Sequence, residues 1–417
     1  MTATTSRARL VRLPAEVRRA RILGILYLIM AVGVWWFFVR GVEGDAVFRL
    51  GAPGEIDISL PAAGLGLFTT IVFAFLGGVE LIKGLGKWTN VLLAVALVLL
   101  AISFLGWAAA GGSFSLVGML QTTVAAATPI AFGALSGVMC ERVAVINIGI
   151  EGMLLMGAFM GALVGTLGNP WLGVLAATLS GGLLGLGLAV LTVRYRVDHI
   201  IAGVVINIFA LGLTSFVTAQ VMVQDPAGTN SPGVLRRIAI PVLSDIPIIG
   251  GIFFNQNLFV YILFLLVIAI TYGLFRTQWG LRARSVGEHP KAADTLGINV
   301  YRMRYLNVFM GGMIAGFGGA YFTLGSVGAF NENMTAGRGF IGLAAMIFGR
   351  WHPVGALSAA LVFGFADSLQ VKLAILDTGI PSEFLLMAPY LITIIVVAGL
   401  VGRSRPPAFN GQAYIKE

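Results

Sequence analysis

The chain has 417 residues, of which 58% are hydrophobic and 11% charged, and its mean hydropathy is +0.93. Soluble domains carry about 25% charged residues, and one soluble core does not absorb this much apolar surface, so a soluble protein is excluded. The formal net charge of +9 would raise nucleic acid as a partner of a soluble chain, but here the basic residues fall in loops and tails, where they fix membrane orientation.

The expected fold class is an all-α polytopic membrane protein. The 56 glycines fit it, because small residues let membrane helices approach closely. Cys140 is the one cysteine, so no internal disulfide forms. His199, His289 and His352 lie far apart and show no metal-ligand spacing.

The N-terminus has a basic front, with Arg7, Arg9, Arg12, Arg18, Arg19 and Arg21, followed by an apolar run. That run ends in Trp35, Trp36 and Phe37 rather than in small residues, so a retained first helix is expected, not a cleaved signal peptide. A spanning helix needs about 20 apolar residues. Candidate spans are 22–39, 62–82, 91–109, 116–138, 143–167, 172–193, 200–223, 258–275, 305–327, 340–348, 354–369 and 385–401. This gives about 12 crossings.

Basic residues cluster before the first span, at Lys83 and Lys87, at Arg142, at Arg194 and Arg196, across 276–304, at Arg350, and at Arg403 and Arg405. These are alternate loops, as the positive-inside rule requires. Glu43, Asp45, Glu55, Asp57, Asp377 and Glu383 fall in the opposite loops. Both termini are therefore expected in the cytoplasm. The 221–257 segment is the longest outer loop, rich in Pro, Gly and Asn, and is expected to form a partly ordered outer cap.

The 340–348 span is too short to cross as a regular helix and is flanked by glycine. Short, Gly-interrupted segments line pathways, where protein or water satisfies irregular backbone. A short tilted helix is the plainer alternative. The stretch 150–182 resembles 337–365: each has a Gly-rich half-helix, an Asn-Pro or His-Pro turn, then a small-residue helix. The copies lie about five spans apart, an odd offset that implies an inverted repeat. The expected organisation is an N-terminal extension with two extra helices (1–90), a core of two five-helix halves (91–401) and a cytoplasmic tail (402–417).

Between two spans lies "SVGEHPKAADTLGIN", residues 285–299. Pro290 suits the first turn of a helix, Glu288 the positive end of its dipole, and Gly297 its C-terminal cap. Ala292, Ala293 and Leu296 are expected on one face. A short cytoplasmic helix with a small-residue face reads as a plug for a partner's groove, the alternative being a solvated loop.

Here the sequence resembles a known family. "VGEHPKAADTLGINV" resembles the coupling-helix loop of ABC importer permeases, in the superfamily that handles branched-chain amino acids, ribose and nucleosides. "TPIAFGALSGVMCERVAVINIGIEGMLLMGAF" (128–159) resembles the signature of nucleoside and simple-sugar permeases served by a Bmp-type lipoprotein, and "GRGFIGLAAMIFGRWHPVGAL" (337–357) is a third match. The form of 137–153 is similar to the smaller of the two paired permeases. The first two helices and the 221–257 loop depart from the usual length. The resemblance implies a membrane subunit, not an enzyme, working with an ATPase subunit, a second homologous permease and an external substrate-binding lipoprotein in the bacterial cytoplasmic membrane. It makes Gly287, Glu288, His289, Pro290, Ala292, Ala293, Leu296, Gly297 and Ile298 the ATPase-coupling residues. The chain has no GxxxxGK[ST] phosphate loop, so it needs no cofactor of its own and ATP is expected on the partner ATPase.

Ionisable and polar groups inside spans are costly and mark pathways. Asn147 and Glu151 are four apart, as on one helix face. With Asn207 they are candidate donors and acceptors for a neutral ring-and-sugar substrate. Phe159 and Phe209 are candidate apolar contacts, and Asp367 is a further candidate. For Glu151 a structural role is weighed ahead of the substrate role: holding a broken helix through backbone N–H groups, or pairing with Arg142 or Arg338. Alternatives for the whole chain are a ribose or simple-sugar ABC permease, or an ion-driven secondary transporter, which has no use for the 285–299 loop.

Overall fold

The computed structural model describes residues 14–51, 56–375, 387 and 405–416. The expected last span, 385–401, lies outside the described residues apart from residue 387, as do Arg7, Arg9, Arg12, Glu55, Asp377, Glu383 and Arg403. Among the described residues, ten helices are long and apolar enough to cross a membrane. They correspond to the other expected spans except 340–348, which belongs to an 11-residue helix. The protein is an all-α polytopic membrane protein.

The chain divides into two compact units. The first holds α1 (Pro14–Phe38), β1 (Asp45–Arg49), β2 (Asp57–Pro61), α2 (Ala62–Ile82), α3 (Thr89–Ala108) and β3 (Ser113–Ser115). Tyr27, Ala31, Val34, Phe73, Leu76 and Ala96 form its core. Tyr27 meets Phe73 edge-on at 6.0 Å, and Thr69 shares a buried 2.6 Å hydrogen bond with Ser103 across α2 and α3. The hydropathy pattern gave no sign of the three strands. They make a sheet ordered β2-β1-β3, antiparallel then parallel.

The second unit begins within α4 (Leu116–Glu141), continues through α5 (Ile150–Leu167), α6 (Pro170–Ala189) and α7 (His199–Val217), and then enters the long loop. That loop is built from α8 (Pro226–Thr229), β4 (Ile238–Ala239), α9 (Ile249–Phe253) and β5 (Asn255–Gln256). Asn230 clamps it by exchanging two hydrogen bonds, of 2.9 and 2.6 Å, with the backbone of Phe330. The unit continues with α10 (Leu258–Arg276), α11 (Gln278–Glu288), α12 (Pro290–Thr295), α13 (Val300–Ala320), α14 (Arg338–Phe348) and α15 (Pro353–Ile375).

Glycine decides how the core helices meet. A Cβ at Gly157 would strike the Gly316 carbonyl, and one at Gly181 would strike the Gly312 carbonyl. Backbone therefore touches backbone along α5, α6 and α13. Asn169 caps α6, accepting from the amides of Trp171 and Leu172, with Pro170 in the first turn.

One boundary differs from the expectation. Helix α5 starts at Ile150, not near 143. Residues 142–149 form turns and extended chain, with Ala144 at φ +64°. Asn147 is therefore not in the helix, and its spacing from Glu151 is not a helical repeat. An apolar run does not distinguish a buried turn from a helix, which explains the miss.

Candidate functional site

Glu151 stands in the first turn of α5 and is 8% exposed. Its Oε1 accepts from the Thr335 hydroxyl at 2.6 Å and the Gly337 amide at 2.8 Å, and its Oε2 accepts from the Gly339 amide at 2.7 Å. These donors sit at the start of α14. A helix leaves its first four amides without intrahelical partners and carries partial positive charge there. The carboxylate supplies the missing acceptors from a distant part of the chain. Backbone geometry allows this because Gly337 takes φ +82°, and because a Cβ at Gly339 would lie 2.6 Å from the Glu151 backbone.

The start of α5 is held in a parallel way. Asn207 of α7 accepts from the Gly152 amide at 2.8 Å and donates to the Ile148 carbonyl at 3.0 Å. Two helix N-termini are thus fixed side by side. Beside them is a cavity of about 310 Å³, with Glu151, Asn207 and Asn333 among its polar lining and Leu155, Ile208, Leu211 and Phe340 among its apolar lining. A mostly apolar lining with a few polar groups suits a small ligand that buries an apolar face and makes a few hydrogen bonds.

Of the candidate pathway residues, Glu151 and Asn207 come together at this cavity. Asp367 lies nearby in the network, with Oδ2 3.8 Å from Arg338 Nη2. Asn147 is fully buried, its amide nitrogen pointing at Cys140 Sγ (3.4 Å) and Ser136 Oγ (3.5 Å). Phe159 is buried edge-on to Phe330 at 5.4 Å, and Phe209 is 53% exposed; neither lines the cavity. Of the structural readings of Glu151, the backbone tether is the one observed. Arg142 donates instead to the Trp351 carbonyl at 2.7 and 3.0 Å. Thr335, Asn333 and Gly339 escaped the sequence reading; the glycine pair of Gly-Arg-Gly at 337–339 was the one available signal.

The 285–299 loop is two helices, not one. Helix α11 ends at Glu288, His289 breaks the chain at φ −144° and ψ 81°, and Pro290 opens α12. Gly297 takes φ +81°; its amide bonds Asp294 O at 2.9 Å, and the Ile298 amide bonds Ala293 O at 3.1 Å. That is a Schellman stop. Ala293 departs from the expected shared face. Pro290 and Ala293 point inward and are buried, whereas Ala292 is exposed and Leu296 is 81% exposed. The helix ends at Thr295, so Leu296 leaves the helical repeat. Gly287 is packed so closely that a Cβ there would meet the Arg142 carbonyl. His289 is exposed and Ile298 half-buried.

A family model described as "Branched-chain amino acid transport system / permease component" matches residues 119–400, more than half of the chain. Among the relatives is the guanosine ABC transporter permease protein NupQ of Bacillus subtilis, 42% identical over 72% of this chain and 96% of its own length. The nucleoside ABC transporter permease protein NupC of Lactococcus lactis is 42% identical over 69% of this chain and 94% of its own. The putative glucose ABC transporter permease protein TsgC13 of Haloferax volcanii is 36% identical over 61% of this chain and 77% of its own. No solved structure matches. The chain belongs to the family of permease components of branched-chain amino acid transport systems.

Proposed function

We propose that the chain is the transmembrane permease subunit of an ATP-driven importer for nucleosides and that it forms half of the translocation pathway. Two relatives named for guanosine and nucleoside transport, each 42% identical, support the substrate class. One observation carries the transport role: the Glu151 tether, which holds a short, broken helix at the wall of a mostly apolar cavity that Glu151, Asn207 and Asn333 also line. Irregular backbone at that depth is tolerated where it lines a pathway. Asn207 and Asn333 would face the sugar or base edges, and Phe340 and Leu155 the ring face. Asn147, Phe159 and Phe209 would support helices rather than touch substrate, and Asp367 would act through Arg338.

In this reading 287–298 receives the push of a partner ATPase, which binds and hydrolyses the ATP. A second homologous permease completes the pathway as a heterodimer, and an external lipoprotein delivers substrate. The core 91–401 rocks as an inverted repeat in the bacterial cytoplasmic membrane, with 1–90 as an extension and 402–417 as a tail. Both termini face the cytoplasm.

A sugar substrate is the second reading, favoured by the glucose permease relative at 36% identity. The test is uptake of radiolabelled guanosine and uridine in cells with and without the gene, with ribose and glucose as competitors. Gene- and ATP-dependent nucleoside uptake that resists excess sugar is the expected result. Uptake of the sugar itself would move the substrate class and keep the architecture. Uptake that survives ATP depletion and collapses with the ion gradient would overturn the reading.

A further inference from the structure

Chain termini fray unless something ties them down. Residues 405–416 are tied along their length although they form neither helix nor strand. The Ala408 amide donates to Glu288 Oε2 at 3.0 Å, and the Phe409 amide to the Gly287 carbonyl at 3.0 Å. Asn410 Nδ2 donates to Glu141 Oε2 at 2.7 Å, and the Gly411 amide to the Ala144 carbonyl at 3.2 Å. The Gln412 carbonyl accepts from Arg304 Nη1 at 3.2 Å, and the same guanidinium lies 5.8 Å from the Phe409 ring. Tyr414 is buried against Tyr301, and Lys416 Nζ sits 3.4 Å from Asp294 Oδ1.

The places gripped are the informative part. Helix α12 has six residues and is flanked by a break at His289 and a left-handed turn at Gly297. A push on so short a helix would be absorbed at those two joints. The tail holds Gly287 and Glu288 before the first joint and Asp294 between the two. Its middle holds Glu141 and Ala144, in the segment that leads into α5 and Glu151. Glu141 Oε2 also accepts from Trp351 Nε1 at 2.6 Å, in the turn between α14 and α15. The same carboxylate oxygen therefore joins the tail to the far end of the helix that Glu151 tethers.

We infer that residues 405–416 are a coupling strap: they lock the two joints around α12 and carry its displacement to the Glu141–Ala144 turn, and so to the helices at the cavity. This rests on the reading of 287–298 as the ATPase-coupling loop. The strap is a positioning element and touches neither ATP nor substrate.

The test uses the whole importer, with its ATPase and binding protein, in proteoliposomes. A chain ending at residue 404 is compared with the full chain for ATPase co-purification, ATP hydrolysis and uptake. The expected result is an intact complex that hydrolyses ATP within about twofold of wild type while uptake falls by about tenfold or more. Uptake within about twofold of wild type overturns the inference. Loss of the ATPase from a folded chain also overturns it, because the tail would then be an anchor.

If the shortened chain does not fold, Asn410→Ala decides. It removes the link to Glu141, and uptake per ATP is expected to fall about threefold or more; an unchanged ratio overturns the inference. A second arm bridges Asp294→Cys to Lys416→Cys with a short bis-maleimide whose linker holds a reducible disulfide, Cys140 being buried. A strap that works as a fixed link keeps transporting when bridged. A block that cleavage of the bridge reverses would overturn it. Replacing 289–297 with a Gly-Ser linker separates the two readings. Normal uptake in that variant sinks the ATP-driven reading itself, whereas normal uptake confined to the tail variants sinks the strap alone.

Discussion

The three-helix unit and the core are both built from apolar helices, yet they use hydropathy in opposite ways. Val91–Ala108 is the most apolar span among the described residues, and 22% of it is buried; Val300–Val327 is the least apolar, and 78% of an 18-residue stretch within it is buried. In lipid, the apolar surface is already at home outside. What moves a helix inward is the ability to approach closely and to satisfy polar groups. Their buried carboxylates differ in the same sense. Glu80 accepts from the Leu85 amide at 2.6 Å and from Thr89 at 3.4 Å, a local cap on the end of α2. Glu151 makes the same kinds of bond to residues of α14 and the turn before it, and so staples distant parts of the chain.

Glycine substitution is the harshest way to probe this contrast. Gly181→Val places side-chain atoms against the backbone of Gly312 and Gly316, which cannot move aside. Overpacking there is expected to cost about 3 kcal/mol or more, with loss of monodisperse protein in detergent. A Cβ at Gly78 in α2 meets nothing within 4 Å, and Gly78→Ala is expected to leave the thermal midpoint almost unchanged. Equal loss in both would erase the distinction between the units.

The carboxylates give the next largest effect. Glu151→Gln turns an N–H group toward an amide donor of Gly337 or Gly339, at a cost of about 1–3 kcal/mol. The complex is expected to assemble with a lowered melting temperature and uptake reduced about tenfold. Glu80→Gln keeps an acceptor for Leu85, and uptake is expected within about twofold of wild type. Asn207→Ala should be milder, about 1 kcal/mol, because it removes the tie from α7 to α5 and leaves α14 held. Melting curves and uptake rates on the same preparations check all three.

The smallest effect is in pH. Burial, and then the nearby Arg142, hold His352 below its ordinary value of 6.5. The folded state therefore prefers the neutral ring, which stacks on Phe275 at 4.7 Å. This contribution is complete above pH 6.5 and is lost as pH falls below that value, since the unfolded chain takes up the proton first. The melting temperature of wild type is expected to drop between pH 7.5 and 5.5 slightly more than that of His352→Gln.

The span positions, the short helix ending at Phe348, the Pro290 start and the Gly297 stop were readable because each is a local signal, carried by length, proline or glycine. The start of α5 was not, since Val143 and Val145 are as apolar as the helix that follows. Nor were the partners of Glu151, because a carboxylate in an apolar run announces that it needs donors without saying which. Nor was the burial of Ala293, because a six-residue helix gives too short a pattern to tell its inner from its outer face. Nor were the contacts of the tail, which are set by Glu141, Asp294 and Arg304, all far away in sequence.

The glycine seam also constrains how the helices move. Where side chains interdigitate, one helix passes another only after rotamers change on both sides. At Gly157, Gly181, Gly312 and Gly316 backbone meets backbone instead. Two helices joined in this way must give up the whole contact together to separate. Each glycine is a socket for the facing backbone, so the seam also fixes the register in which the helices meet.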